Sequence, residues 1–240
     1  MRRALMTLVL VLAFPAAADA ATVKVVECEP SLDPLARTAT FEARMRAARG
    51  SERMQVRFGL QVREDAIGGW RRISAEGFDT WLTSLPGVRR YSYAKTLVNL
   101  AAPAAYRTTV RFRWLDEDGA IVKSARITSA SCRQPDMRPD LTVRRIDVLP
   151  GADARTRRYA VTVRNAGRGD ADPYAVALRV GEGEPDTLSA PRLDAGAARV
   201  VTFEGPACAP GEPLLVTLDP GEAVDERDEL DNAFAAVCPG

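Results

Sequence analysis

The chain has 240 residues, of which 33 are lysine or arginine, 32 are aspartate or glutamate and none is histidine, so its formal net charge is +1. Without histidine the Ser-His-Asp and Cys-His arrangements of hydrolases cannot form, and the commonest general base is missing. No glycine-rich phosphate loop or dinucleotide fingerprint occurs, so no cofactor is expected. We expect a non-catalytic protein.

The first twenty residues are typical of a secretory signal peptide. Arg2 and Arg3 precede an apolar run over residues 5–14, and Ala18-Asp19-Ala20 offers a small-residue cleavage site. The run is too short to span a bilayer, and no second long apolar stretch follows. We therefore predict cleavage after Ala20 and a secreted protein, extracellular or periplasmic, with no membrane anchor.

Cysteine usage agrees with export. The four cysteines Cys28, Cys132, Cys208 and Cys238 can pair in three ways in an oxidising compartment. Pairing the first with the second and the third with the fourth is favoured, because each disulfide then brackets one candidate domain. A zinc site would need clustered cysteine or histidine ligands, which the chain lacks, so no metal is expected.

A short proline-containing segment separates two candidate domains. Pro135 and Pro139 disfavour helix in the residues before them, and runs of strand-like sequence lie on both sides. We predict a first domain over residues 21–135 and a second over residues 136–240. The first carries a net charge of +7 and the second a net charge of −7. The favoured interpretation of these charges is two solvated faces. The alternative is complementary surfaces that meet either within one chain or between copies of the chain that self-associate head to tail.

Period-two alternation predicts strands in the first domain. Apolar residues alternate with polar ones over Ala39–Met45, Met54–Val62 and Val110–Trp114. A hairpin turn follows at Asp116–Gly119. Tyr106, just ahead of a strand, occupies a position typical of a tyrosine corner. The intervening residues 64–87 are irregular, and a binding site of this domain is expected there first.

Two sets of side chains could form a binding surface. The arginines on polar phases of the predicted strands are Arg44, Arg46, Arg57, Arg63, Arg111 and Arg113. If those strands share a sheet, the arginines form one basic face that could meet an acidic polymer or an acidic domain. The aromatic candidates for carbohydrate recognition are Trp70, Trp81, Tyr91 and Tyr93, of which we expect at least half to be core, while Trp114 is expected to be the core tryptophan.

The second domain has a clearer strand pattern. Seven short strands separated by glycine and proline turns are predicted over residues 141–148, 159–163, 174–180, 188–193, 199–203, 214–218 and 233–238. This density is the signature of an antiparallel sandwich of immunoglobulin-like type. We therefore predict an all-β fold with two immunoglobulin-like antiparallel β-sandwich domains in tandem.

The second domain also resembles a known family. The residues that carry the resemblance are Pro139-Asp-Leu-Thr-Val143, Val161-Thr-Val-Arg-Asn-Ala-Gly167, Leu193-Asp-Ala-Gly196, Val200-Val-Thr-Phe203, Leu215-Val-Thr-Leu-Asp219 and Val224-Asp-Glu-Arg-Asp-Glu-Leu-Asp-Asn232. In this order they resemble CARDB, the cell-adhesion-related domain found in bacteria, over roughly residues 138–238. Members usually end the acidic turn with two asparagines where this chain has Asp231-Asn232, and the last cysteine pair is an addition. The resemblance implies an extracellular immunoglobulin-like domain with a role in adhesion.

The acidic run at the end of this pattern has two interpretations. Asp225, Asp228 and Asp231 recur every third residue beside further oxygen-bearing side chains, a density that could hold calcium. The spacing lacks the core of an EF-hand loop. The favoured interpretation is a turn between the last two strands, whose carboxylates accept backbone hydrogen bonds.

The sequence thus predicts a binding, adhesion or accessory protein whose partner is an extracellular protein or polysaccharide. Nucleic acid is not an expected partner outside the cell. Asp116 and Asp118 could in principle act as a carboxylate pair, but a hairpin tip offers no enclosed pocket. The alternative function is a structural spacer or a self-assembling subunit that uses its oppositely charged domains.

Overall fold

The computed structural model describes residues 20–64 and 68–239. The predicted signal peptide, apart from Ala20, lies outside these residues. The single helix among them is the 3-10 helix Pro34–Ala36, and none of the described helices is long enough to cross a membrane.

Nine strands make up the first half of the described chain. They are β1 (Ala21–Glu29), β2 (Thr38–Arg46), β3 (Arg53–Arg63), β4 (Arg71–Ile73), β5 (Leu82–Thr83), β6 (Arg90–Leu97), β7 (Ala104–Leu115), β8 (Ile121–Thr128) and β9 (Cys132–Gln134). One sheet has three strands in the order β1-β2-β6. The other has six strands, with β4-β3-β7-β8 in order, β5 beside β3 and β9 beside β7. All pairings are antiparallel.

The two sheets enclose one hydrophobic core. Phe41 of β2, Phe58 of β3 and Trp114 of β7 are at most 1% exposed and belong to the same cluster, so side chains from both sheets meet in it. The inward positions of β3 are the apolar phase seen in the sequence, because successive side chains of a strand point to opposite faces. Tyr106 donates its hydroxyl to the Ala101 carbonyl at 3.2 Å, the geometry of a tyrosine corner.

In its described part, the irregular segment 64–87 contains only the short strands β4 and β5, and the strand that follows, β6, has no apolar alternation. β6 is an edge strand of the three-stranded sheet and pairs with β2 alone. Its side chains are mostly exposed, and its inward positions include a tyrosine and a lysine. Periodicity therefore did not predict it.

Seven strands make up the second half, as the sequence predicted. They are β10 (Leu141–Pro150), β11 (Thr156–Asn165), β12 (Tyr174–Val180), β13 (Asp186–Ala190), β14 (Ala198–Pro206), β15 (Pro213–Leu218) and β16 (Ala233–Val237). The sheets are β10-β11-β14 and β13-β12-β15-β16. Tyr159 and Phe203 from the first sheet and Leu214 from the second share one core cluster. The prediction of an all-β fold with immunoglobulin-like sandwiches is confirmed.

Both predicted disulfides are present. Cys28 of β1 is bonded to Cys132 of β9, and Cys208 is bonded to Cys238, with Cα–Cα distances of 5.4 and 6.1 Å. Each bridge closes one half of the chain. The two core clusters also fall on opposite sides of the proline-containing segment, while the boundary at residue 135 stays a prediction.

Candidate functional site

The six arginines singled out in the sequence lie on two different sheets. Arg57 and Arg63 point outward from β3, and Arg111 and Arg113 point outward from β7 of the same six-stranded sheet. Arg44 and Arg46 belong to β2 of the three-stranded sheet instead. The expectation of one face carrying all six is therefore wrong for this last pair. Alternation shows which way a side chain points, but sheet membership is decided by strand pairing.

The register of the six-stranded sheet aligns three arginines across three strands. Arg57 of β3 lies opposite Arg111 of β7, and Arg111 lies opposite Arg126 of β8. Directly opposed residues share a face, and neighbouring strands are about 4.8 Å apart. Like charges placed directly opposite each other destabilise a sheet. This arginine row is therefore an arrangement that a bound anion would relieve.

Among the described residues, a single carboxylate borders the arginine row. Asp79 has a positive φ of 60° and its N–H donates to the Phe58 carbonyl at 2.8 Å, which holds the residue against β3. Its Oδ1 accepts a hydrogen bond from Arg72 and lies 3.6 Å from Arg57 Nη2. Within residues 20–64 and 68–239, no carboxylate lies within 4 Å of Arg111 or Arg126. Positive charge therefore exceeds negative charge here.

The arginine row borders a shallow depression. Gly59 and Thr109 occupy the next rung of β3 and β7, and the absence of a side chain at Gly59 leaves a cavity of about 50 Å³. We call this cavity the arginine notch, and its lining is Arg57, Gly59, Gln61, Arg72, Asp79, Thr109, Arg111 and Arg126.

Two tryptophans flank the arginine notch on the same sheet. The Arg107 guanidinium lies 4.0 Å from the centre of the Trp70 ring, with Arg63 at 5.1 Å, and the Arg113 guanidinium lies 4.0 Å from the Trp81 ring. Guanidinium groups at this distance are attracted by the ring face. Burial lowers the pKa of Arg107, and the neighbouring Arg63 lowers it further.

The four aromatic candidates are less buried than expected, since at least half of their rings were predicted to lie in the core. Trp70, Trp81 and Tyr91 are half-buried and Tyr93 is exposed, so none is fully buried. Arginine side chains cover the tryptophan rings in place of apolar neighbours. Trp114 is the core tryptophan, as predicted, and its Nε1 donates to the Arg46 carbonyl at 2.7 Å.

Sequence reasoning missed four residues of this surface: Arg72, Asp79, Arg107 and Arg126. Arg107 continues the polar phase of β7 and could have been found from that signal. Arg126 lies opposite Arg111 because the pairing of β7 with β8 shifts register between Trp114 and Leu115, which the predicted turn does not indicate. Arg72 and Asp79 lie in the irregular segment, where no periodicity predicts which strand they approach.

The acidic run lies between β15 and β16, where a turn was predicted, and its carboxylates accept backbone hydrogen bonds. Asp219 accepts from the Val224 N–H at 2.7 Å, and Asp228 accepts from the Leu230 N–H at 3.0 Å. Among residues 20–64 and 68–239, no three histidine, cysteine, aspartate or glutamate side chains are arranged to hold a metal ion.

A buried network joins this turn to the start of the second half. Glu226 is 1% exposed and accepts hydrogen bonds from the Leu141 N–H and from Asn232 Nδ2. Asp140, equally buried, accepts from Arg227, and its N–H donates to Asn165 Oδ1 at 3.1 Å. Pieces of sequence that are far apart along the chain therefore meet in one network.

Residues 138–236 match the CARDB family model. The network above contains several of the residues that carried the resemblance, among them Asp140, Asn165, Glu226 and Asn232, and they are joined because buried polar groups need partners. The first half of the chain lies outside the match. No curated protein sequence matched the chain.

Three solved structures are similar to the chain. A domain of a putative cell surface protein from Methanosarcina acetivorans is 28% identical, covers 43% of this chain and 94% of its own, and has a TM-score of 0.38. A CARDB domain from Pyrococcus furiosus, solved in complex with di-metal ions, is 24% identical over 42% of this chain and 88% of its own, with a TM-score of 0.32. Red sea bream transglutaminase is 12% identical over 92% of this chain and 31% of its own, also with a TM-score of 0.32.

Proposed function

We propose that the protein is a secreted, non-catalytic binding or adhesion protein that holds an acidic surface polymer on the outer face of its six-stranded sheet. The observation that carries this proposal is the arginine row, Arg57, Arg111 and Arg126, of which the last two have no carboxylate within 4 Å among the described residues. Trp70 and Trp81 border the same surface, and the guanidinium groups of Arg107 and Arg113 that cover their rings add to its positive charge.

The second half supports a location outside the cytoplasm. It contains a CARDB domain, and this cell-adhesion-related family suggests a surface or adhesion-associated module. Two disulfides are typical of an oxidising compartment. In this proposal the CARDB domain presents the basic first half to the polymer, and the predicted signal peptide directs export.

Absence of catalysis is part of the proposal. The chain contains no histidine. Asp116, one of the two hairpin carboxylates considered above, accepts a hydrogen bond from the Ala120 N–H at 2.8 Å within its own turn. It therefore serves the turn, and its partner Asp118 is exposed at the tip.

Binding to immobilised polymers tests the proposal. The full secreted chain is passed over alginate, dextran sulfate and neutral dextran at low and at high ionic strength. The chain should be retained on an acidic polymer and not on neutral dextran. Retention should fall as the salt concentration rises, because screening weakens exposed charge pairs. An Arg111→Gln/Arg126→Gln variant should lose about tenfold or more in affinity, since hydrogen bonds to charged groups contribute about 1.5–3 kcal/mol each.

The matched control removes two comparable charges in the second half. An Arg179→Gln/Arg164→Gln variant changes exposed strand arginines of the CARDB domain and should bind as the unmodified chain does. Equal affinity of the Arg111→Gln/Arg126→Gln variant, or no retention on either acidic polymer, would contradict the proposal.

The alternative of a self-assembling subunit is favoured by the opposite net charges of the two halves, +7 and −7. Sedimentation velocity at low and high ionic strength separates the two functions. Association that disappears at high salt would support the self-assembling subunit. A monomer at every ionic strength would exclude it, and polymer binding would be the remaining candidate function.

A further inference from the structure

We propose that the arginine notch binds one tetrahedral oxyanion, a phosphate or sulfate group. The inference rests on the proposed function, because it names the chemical group of the polymer that this surface recognises. It also narrows that function: the polymer carries phosphate or sulfate esters, and carboxylate alone is not its recognition element.

The supply of hydrogen-bond donors supports this choice. Arg57, Arg72, Arg111 and Arg126 line the arginine notch, and Asp79 is the single carboxylate among the described residues of its lining. Each guanidinium offers five N–H donors in a planar fork. One such fork satisfies both oxygens of a carboxylate. Four forks opposed by one carboxylate suit a group with more acceptor oxygens.

Asp79 positions one wall of the arginine notch and leaves the other wall free. It accepts from Arg72 and lies 3.6 Å from Arg57, so both guanidinium groups are held beside β3. Arg111 and Arg126, on β7 and β8, have no such carboxylate among the described residues and keep their donors available. An anion in the arginine notch would therefore accept hydrogen bonds from the positioned guanidinium groups of Arg57 and Arg72 on one wall and from those of Arg111 and Arg126 on the other.

The size of the arginine notch selects a small group. Its volume is about 50 Å³. A space of this size holds only a small group of atoms. Pockets for drug-sized ligands have about 300–1,000 Å³. A sugar ring must therefore remain outside, with only its ester group inserted.

Gly59 provides a variant that fills the cavity and changes no charge. A Cβ at this position would lie 3.4 Å from the Thr109 carbonyl oxygen and 3.6 Å from Asp79 Oδ1, which the surroundings can accommodate. Gly59→Val suits a strand, because β-branched residues pack well on a pleated surface. Arg111→Lys is a second variant that keeps the charge and removes the planar fork.

The first experiment measures ion binding directly. The arginine Nε–Hε signals of the full secreted chain are followed by NMR while sodium phosphate or sodium sulfate replaces sodium chloride at constant ionic strength. Saturable shifts are expected for Arg57, Arg111 and Arg126, and about tenfold weaker binding for Gly59→Val and Arg111→Lys. Arg179→Gln should respond as the unmodified chain does. Linear, non-saturating shifts would overturn the proposal. Binding of the ion by both Gly59→Val and Arg111→Lys as tightly as by the unmodified chain would overturn it as well.

The second experiment distinguishes the source of the group and separates this inference from the proposed function. The same variants are tested on dextran sulfate, poly(glycerol phosphate) and alginate. Loss of binding by Gly59→Val to the sulfated or the phosphorylated polymer identifies the ester and supports the arginine notch. If Gly59→Val and Arg111→Lys bind every polymer as tightly as the unmodified chain, the inference falls and the proposed function stands. If phosphate and sulfate saturate the arginine notch but no polymer is retained, the proposed function falls.

Discussion

Replacing Glu226 by glutamine should make the CARDB domain more stable above neutral pH. Burial raises the pKa of this carboxyl to about 7, and hydrogen bonds from Leu141 and Asn232 only partly oppose the rise. Glutamine is neutral at every pH and has nearly the same shape. Its oxygen can still accept from the Leu141 N–H, and its NH₂ can donate to Asn232 Oδ1 once that amide turns over. The turned amide loses its hydrogen bond to Glu229 Oε2, which offsets part of the gain.

The pKa difference sets the magnitude and the sign. An ordinary glutamate has a pKa of 4.5, and Glu226 has a pKa of about 7 in the folded chain. Each pKa unit corresponds to about 1.4 kcal/mol, so the protonated carboxyl contributes about 3 kcal/mol. That contribution is fully present below pH 4.5 and is lost as the pH rises to 7. The variant retains it, so it should exceed the unmodified chain by up to about 3 kcal/mol at pH 8 and differ little at pH 4.5.

Neighbouring carboxyls also contribute to the pH dependence of the domain's stability. Burial also raises the pKa of Asp231, so its contribution has the same sign. The Arg138 guanidinium lowers the pKa of Asp136, whose contribution is therefore lost only in acid, below its ordinary range. Neither residue is changed in the variant, so the difference between the two chains isolates Glu226.

Urea-dependent hydrogen exchange of peptides from residues 136–240, read by mass spectrometry, is the suitable assay, because all three tryptophans lie in the first half. Glu184→Gln, which changes an exposed turn residue, is the control and should follow the unmodified chain at both pH values. Equal loss of stability between pH 4.5 and 8 in the unmodified chain and in Glu226→Gln would refute the reasoning.

Three further predictions concern the first half and the disulfides. Replacing both cysteines of one disulfide by serine should lower the free energy of unfolding, measured with urea, because the unfolded chain is no longer constrained by the loop. The expected loss is about 5 kcal/mol for Cys28–Cys132, which spans 104 residues, and about 3–4 kcal/mol for Cys208–Cys238, which spans 30. A larger loss for the shorter loop would contradict this reasoning. Trp114→Phe should destabilise the first half by about 2–4 kcal/mol, because the core loses volume and the hydrogen bond to the Arg46 carbonyl, whereas Trp70→Phe should cost less than about 1 kcal/mol in the same unfolding assay. Arg113→Ala should expose the Trp81 ring to acrylamide and increase fluorescence quenching, and unchanged quenching would show that the guanidinium does not cover it.

Much of the fold could be predicted from particular residues. The alternation over residues 54–62 became the inward face of β3, and the turn at residues 116–119 became the connection between β7 and β8. The cysteine pairing followed from bracketing, and both bridges are present. β6 was missed because an edge strand with mixed side chains has no apolar period.

The candidate site could be predicted only in part. Arg57 and Arg111 were recognised as outward-facing, but nothing in their own strands indicates that they lie opposite each other. Arg44 and Arg46 have the same local pattern and belong to the other sheet. Asp79, the carboxylate that completes the site, comes from a segment without periodicity and approaches β3 through a backbone hydrogen bond.

The sequence by itself determined the fold class, the strands of the second half and the family of residues 138–236, because these depend on local periodicity and on short motifs. It favoured one of three possible cysteine pairings, which the tertiary structure then decided. Only the tertiary structure decided the arginine row, the arginine notch at Gly59 and the covered tryptophans. The physical reason is that the period of a strand records which face a side chain occupies, whereas the partner strand and its register arise from packing between residues that are distant along the chain.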